Sequence, residues 1–190
     1  MAADIAHAII ETAKPLGTTT VLEFGCGTGL LTLALAPVVG SITAIDTSEK
    51  MIAVLQDKIS TAGIDNVATR CTDPMAFREH LPEKTGFGLI CSSMTLHHIA
   101  DTEALFRHLF TLLAPGGSLA IADLDCEEGF FHDDPTLEVH HGFERSALQA
   151  SLAEIGFQDM TFRTVHEIRK TNRAGETALY PVFLCIARKP

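Results

Sequence analysis

The sequence predicts an α/β chain: a mostly parallel sheet, covered by helices on both faces, that ends in an antiparallel hairpin. Strand-like and helix-like runs alternate almost from end to end, which requires crossover connections and therefore parallel strands. A glycine-rich turn at 25–29 joins the first strand to a helix. The last two strand-like runs are joined by a short turn at 172–175, so one of them must run against the other.

Each element has its own local reason. Ile5, Ile9 and Ile10 fall at helical spacing within 4–14, and Pro15 and Gly17 stop that run, so residues 1–17 read as an N-terminal helix and its exit. TTTVLEF (18–24) is β-branched and apolar, the pattern of a buried strand. Residues 28–36 return to a helix-like run that Pro37 closes. SITAID (41–46) is the second strand. Ser48 is a suitable N-cap for a helix with Met51, Ile52, Leu55 and Ile59 on one face and Gly63 at its stop. NVATRC (66–71) and FGLICSSM (87–94) are the third and fourth strands. Asp101 can cap a helix whose inner face is Leu105, Phe106, Leu109, Leu112 and Leu113, ended by Pro115, Gly116 and Gly117. SLAIADL (118–124) is the fifth strand. A helix at about 144–155 carries Leu148, Leu152 and Ile155, and the runs 158–170 and 178–188 form the closing hairpin. Between strand five and that helix, residues 125–142 are polar and irregular, and longer than an ordinary connection of about 2–6 residues.

Composition narrows the function. A chain of 190 residues suits one domain, and an apolar fraction of 46% excludes disorder. With 24 Asp and Glu against 14 Lys and Arg, the net charge is −10, which argues against nucleic acid as a partner. The acids concentrate at 108–144, which holds eight acids and no Lys or Arg, while 163–190 holds six basic residues and two acids. That basic tail reads as a solvated face of the hairpin, and as the one place where an acidic partner could dock. No uncharged run approaches the ~18–20 residues that span a bilayer, so no membrane partner is expected. The start, MAADIAHAIIETAK, has no basic leader region, so no signal peptide is expected. Cys26, Cys71, Cys91, Cys126 and Cys185 are odd in number and widely spaced, which reads as reduced thiols in a cytoplasmic protein.

The glycine turn carries the strongest functional signal. Glu23-Phe24-Gly25-Cys26-Gly27-Thr28-Gly29 is an acid followed by GxGxG, between a buried strand and a helix. Glycines there allow a sharp turn and a close approach of ligand to backbone. Asp46 closes the second strand nineteen residues after Gly27, where an acid can accept hydrogen bonds from a ribose diol.

On these motifs the sequence resembles the class I S-adenosylmethionine-dependent methyltransferases, from about residue 18 to 125 and more weakly to 190. VLEFGCGTG looks like the family's first motif, and Asp46 matches its ribose-binding acid. Asp73, after the third strand, matches the acid that meets the adenine amino group. FGLICSSMTLHHI and LLAPGGSLAIAD look like the fourth-strand motif and the junction before the fifth strand. These phrases are most similar to the small-molecule subgroup that includes quinone-biosynthesis enzymes. The resemblance implies one Rossmann-like domain over 1–190, a seven-stranded sheet with its last strand antiparallel, and S-adenosylmethionine as cofactor. It implies cofactor contacts from Glu23, Gly25, Cys26, Gly27, Gly29, Asp46, Thr47, Met51, Asp73 and Ser92. It places 125–142 on the substrate side.

Methyl transfer from a sulfonium is an in-line displacement, so the protein's task is alignment in a dry pocket. A base is needed only when the acceptor loses a proton. His97 is the expected base or acceptor-orienting group, because it follows the fourth strand at the edge where open α/β sheets bind ligands. The expected acceptor is a small molecule, neutral or cationic. The alternatives are a protein or tRNA acceptor, or a cofactor-binding scaffold without turnover. CSSM replaces the D/N-P-P-aromatic motif of adenine and glutamine methylation, and no Pro-Cys pair supports cytosine methylation. No metal site is expected: among His132, Asp133, Asp134, His140 and His141 no pair has i,i+4 helical spacing, and nothing in the sequence fixes the ligands. The sequence leaves the oligomeric state open.

Overall fold

The runs rich in apolar and β-branched residues assemble into one sheet. In the computed structural model, which describes residues 1–77 and 86–190, its strands are β1 (Thr20–Phe24), β2 (Ser41–Asp46), β3 (Val67–Cys71), β4 (Phe87–Ser93), β5 (Leu113–Leu124), β6 (Gln158–Thr171) and β7 (Thr177–Arg188). The spatial order is β3-β2-β1-β4-β5-β7-β6. The pairs from β3 through to β5 are parallel, and β7 runs antiparallel to both β5 and β6. This is the expected Rossmann-like sheet with its C-terminal hairpin.

Helices cover both faces because the central strands are buried on both. Within β1, Val21 to Phe24 are all buried, including Glu23. On one face lie α1 (Ala2–Ala13), α2 (Leu30–Leu35) and α3 (Glu49–Ala62), whose Ile5, Ile9, Leu35 and Leu55 are fully buried. On the other lie α4 (Thr102–Leu112) and α5 (Arg145–Ile155), through Leu105, Phe106, Leu109 and Leu152. Capping follows the sequence: the Ser48 hydroxyl accepts from Met51 N at 3.4 Å, and Asp101 Oδ1 accepts from Ala104 N at 2.9 Å. Among the described residues no helix is long and apolar enough to cross a membrane.

Several local expectations change. Strand β5 starts at Leu113, not at Ser118, and continues through Pro115, Gly116 and Gly117. Leu113 pairs with Phe87, and the register shifts between Phe87 and Leu89, so the Pro-Gly-Gly stretch is an irregular strand start. Pro37 lies inside a single 3-10 turn, Ala36–Val38, that extends α2. Met51 leaves the core face of α3: it is 43% exposed, whereas Ile52 and Leu55 are buried.

The basic tail is also reassigned. Arg163 on β6 donates to the Ala8 carbonyl at 3.0 Å and to Glu11 at 3.2 Å, tying α1 to the sheet. Lys170 donates to the Phe131 carbonyl at 2.7 Å and pairs with Asp133 at 2.9 Å. Arg173 donates to the His132 carbonyl at 3.1 Å and lies over the Phe130 ring. These cations are structural ties, so the hairpin is not simply a free basic surface. Segment 125–142 is thus anchored to β6, and Arg145 grips Asp125 with two bonds of 2.6 Å.

Gly29 joins the turn to α2 at φ +83°, and a Cβ there would overlap the fully buried Leu55 side chain. Replacing it combines left-handed strain with overpacking, together about 2–4 kcal/mol. Gly29→Ala should therefore lower the urea unfolding midpoint by the equivalent of that loss; an unchanged midpoint would refute the packing role.

Candidate functional site

The loops that follow β1, β2, β3 and β4 surround a cavity of about 750 Å³. Among the predicted residues, Glu23, Gly25, Cys26, Gly27, Asp46, Thr47, Met51 and Asp73 line it. Gly29, Ser92 and His97 do not. Gly29 packs on Leu55 instead. Ser92 is buried and its hydroxyl donates to the Phe24 carbonyl at 2.8 Å, holding β4 against β1; the next residue, Ser93, faces the cavity. Met94, Thr95 and His98 also line the wall; His98 follows the fourth strand beside His97, while nothing in the residue types of Met94 and Thr95 separates them from an ordinary turn.

The glycine turn is set by crowding. Gly25 has φ +63°, and a Cβ there would overlap the Thr95 side chain, whose hydroxyl donates to the Gly25 carbonyl at 3.3 Å. Gly27 has φ +53° with open space beside it. Its N–H donates to Asp46 Oδ2 at 2.8 Å, while Asp46 Oδ1 accepts from Ser48 N at 2.9 Å. Two backbone donors thus hold the Asp46 carboxylate at the cavity wall. Lys58 donates to the Thr28 carbonyl at 2.8 Å and ties α3 to the same turn. Asp73 Oδ1 accepts from Met75 N at 2.7 Å, so this acid caps its own turn and lines the cavity as well.

Glu23 differs from the other acids. It is 2% exposed, and among the described residues its Oε2 has no hydrogen-bond partner. Burial pushes its carboxyl up to about 8, and the nearby Asp46 charge adds to the rise while Thr32 opposes it. A buried orphan carboxyl is costly unless a donor or a positive charge meets it. Burial also raises the thiols of Cys26 and Cys91 above the ordinary thiol value.

A second cluster adjoins the cavity. His97 is 2% exposed, and its Nδ1 lies 2.7 Å from Asp123 Oδ1. Asp123 is fully buried and also accepts from His97 N at 3.2 Å and Leu124 N at 2.7 Å. The signal for Asp123 in the sequence is an acid inside the apolar run SLAIADL. His98 stacks at 4.2 Å between ring centroids and forms part of the cavity wall. His132, from segment 125–142, closes the group at 5.1 Å from His97 and 5.5 Å from His98. Partial burial, followed by the nearby His97, holds both His98 and His132 below the ordinary imidazole value. The His140 and His141 rings have other partners: the His140 ring is bonded to the Ile99 carbonyl, while His141 sits against Gly129.

Residues 1–171 match the family described as a methyltransferase domain. The chain belongs to this family, as a class I S-adenosylmethionine-dependent methyltransferase domain. An uncharacterized methyltransferase of Mycobacterium tuberculosis is 35% identical over 114 residues, covering 60% of this chain and 55% of that protein. A ubiquinone biosynthesis O-methyltransferase of Caulobacter vibrioides is 33% identical over 112 residues, covering 58% and 43%. The matched stretch spans about half the length of such curated relatives. The solved phosphoethanolamine N-methyltransferase 2 of Haemonchus contortus, in complex with S-adenosyl-L-methionine, shares the fold, with a TM-score of 0.75 at 18% identity, covering 97% of this chain and 52% of that one.

The cofactor of this methyltransferase domain is S-adenosylmethionine, and the cavity fits it. Glu23, the orphaned buried acid, would hold the ammonium of the methionine part. Asp46, pinned by two N–H groups, would keep its remaining lone pairs for the ribose hydroxyls. Asp73 would serve the adenine edge, and the exposed Met51 would provide a polarizable surface beside it.

Two outcomes test this assignment. Asp46→Ala should weaken cofactor binding by about 1–3 kcal/mol in titration calorimetry, and unchanged affinity would remove its ribose role. Glu23, whose pKa near 8 lies above the ordinary 4.5, is protonated in the free protein at neutral pH and ionises when an ammonium arrives. Cofactor binding at about pH 6, where an α-amino group of pKa roughly 8 is charged, should release close to one proton. Calorimetry in buffers of different ionisation enthalpy reads that release, and its persistence in Glu23→Gln would show that another group is responsible.

Proposed function

We propose that this domain transfers a methyl group from S-adenosylmethionine to a small-molecule acceptor, neutral or cationic, through an oxygen atom. The observation that carries the proposal is the continuity of the cofactor cavity with the histidine cluster through His98. When bound, the cofactor supplies a sulfonium-activated methyl group. The protein then has to exclude water, align the acceptor, and receive or disperse its proton.

His98 is the imidazole that meets the acceptor, because it stands in the cavity wall. Its lowered pKa keeps the ring neutral near pH 7 and one nitrogen lone pair free. His97, expected to do this itself, is one layer deeper; with Asp123 behind it, it positions His98 and narrows the space available. An Asp-backed imidazole pair suits an acceptor that loses a proton, as a hydroxyl does. Among the described residues, the acids Asp46 and Asp73 line the cavity wall with no Lys or Arg side chain, which disfavours an anionic acceptor. The ubiquinone biosynthesis O-methyltransferase relative agrees with an oxygen acceptor. Segment 125–142 brings His132 to the far side of the cluster, which supports a substrate-side place for it.

A panel of phenols, alcohols, amines, peptides and tRNA, incubated with methyl-labelled cofactor, should show incorporation into a neutral or cationic hydroxyl compound. For that acceptor His98→Ala should lower kcat by about 10²–10⁴-fold with cofactor affinity retained. Incorporation only into protein or tRNA would overturn the small-molecule reading.

A further inference from the structure

We propose that His97, His98 and His132 form a binding site for one divalent transition-metal ion of the zinc class, with an open coordination position on the cavity side. One ring nitrogen from each of the three lies within 4.8 Å of those of the other two. A tetrahedral zinc ion with Zn–N near 2.0–2.1 Å spaces its ligand nitrogens at about 3.4 Å, so the rings need to close by roughly 1 Å each. His98 is exposed and His132 half-buried, which leaves both free to turn inward.

Three features make this more than a chance gathering of rings. The first is the orientation of His97. Asp123 occupies its Nδ1 at 2.7 Å, which leaves Nε2 as the ligand atom and fixes the ring. A carboxylate behind a histidine is the arrangement that orients metal-bound imidazoles and raises their basicity. The second is His132. Its Nε2 is buried and, among the described residues, has no hydrogen-bond partner. A ring nitrogen removed from water without a partner is costly, and a cation between the three rings would satisfy it. The third is the bracing of the segment that carries His132. Arg173 holds the His132 carbonyl at 3.1 Å and Lys170 holds the preceding one at 2.7 Å. On the other side, His140 N donates to the His97 carbonyl at 2.8 Å, stapling this segment to the turn that carries the other two ligands.

The donor set selects the metal. Three neutral imidazoles with no thiolate or carboxylate suit zinc and its neighbours, not calcium or magnesium, which take oxygen ligands. Three protein ligands leave the fourth tetrahedral position open, the pattern of catalytic zinc. Because His98 is also in the cavity wall, that position faces the cavity. Its use for the acceptor rests on the methyl-transfer reading: an acceptor hydroxyl bound there would lose its proton to solvent more readily and present an oxygen anion. In that state the ion, not the free His98 ring, makes the contact with the acceptor. Metal binding itself does not depend on that reading.

The experiment uses the full chain without a histidine tag, stripped with a chelator. Titration with Co²⁺ should produce the visible absorption of a tetrahedral cobalt centre, saturating at about one ion per chain, and Zn²⁺ should displace it. His132→Ala should abolish the band. Asp123→Asn should weaken Zn²⁺ binding about 10–100-fold, as loss of a ligand-orienting carboxylate does. Cofactor binding, measured on the same samples, reports whether each variant is folded. Wild-type protein that binds cofactor but gives no cobalt band, or a folded His132→Ala that keeps the band, overturns the site and leaves the methyl-transfer reading standing. A cobalt band in a protein that methylates nothing in the panel supports the site and counts against that reading instead.

Discussion

The pairing of β1 with β4 in the middle of the sheet constrains most of what surrounds the site. From β1 the chain adds β2 and β3 outward on one side, then returns to place β4 on the other. At that reversal the connections leaving the two strands must part in opposite directions, and a crevice opens at the strand ends between them. Both walls of the cavity come from this geometry: the glycine turn after β1 and the Ser93–His98 stretch after β4. The two walls also touch. Ser92 holds the Phe24 carbonyl, and Thr95 fills the space that a side chain at Gly25 would need. The glycine turn is therefore shaped as much by its neighbour across the crevice as by the ligand it accommodates.

Two buried carboxylates at this edge show how burial divides structural from ligand-facing acids. Asp123 and Glu23 are both almost completely shielded from water. Asp123 is satisfied by two backbone N–H groups and the His97 ring, so it acts as a fixed support. Glu23 keeps one oxygen without a partner and has its carboxyl raised by burial. A folded chain tolerates such a group where a ligand completes it, since an unpaired buried polar atom costs roughly 1–3 kcal/mol. The same principle separates the histidines. His140 is bonded within the protein, whereas His132 keeps a buried nitrogen unmet beside two other imidazoles.

Charge behaves differently in the folded protein from its distribution along the chain. The acidic block and the basic tail look like opposed surfaces in sequence. In the structure they meet: Lys170 pairs with Asp133, and Arg173 holds the His132 carbonyl of the acidic segment. Arg145 takes Asp125, Glu144 caps α5, and Asp123 turns inward to His97. What remains at the cavity, among the described residues, is a lining with acidic side chains and no Lys or Arg. Exposed pairs of this kind contribute little to overall stability. Their effect here is positional, because they set where His132 stands.

Much of the fold and half of the site were legible in the residues. Strand and helix periodicity, the caps at Ser48 and Asp101, and the acid-x-GxGxG turn followed by Asp46 each depend on neighbours a few positions away, and local sequence specifies such features fully. The cavity wall from Glu23 to Asp73 is of this kind, because each of its acids lies within two residues of a strand end whose place the topology already determines. Other features needed the folded chain. Whether Ser92 or Ser93 faces the cavity depends on which face of the sheet each takes in the alternation along β4. Whether His97 or His98 lines the cavity depends on where Asp123, twenty-six residues away, draws the ring. The meeting of His132 with both depends on Lys170 of β6 and Arg173 of the turn after it, which hold an irregular segment across the strand ends. The sequence by itself determined the sheet, its hairpin and the cofactor motif, through short-range periodicity and turn chemistry. Only the tertiary structure decided the histidine cluster, because its members come from segments with no periodic relation, brought together by long-range hydrogen bonds.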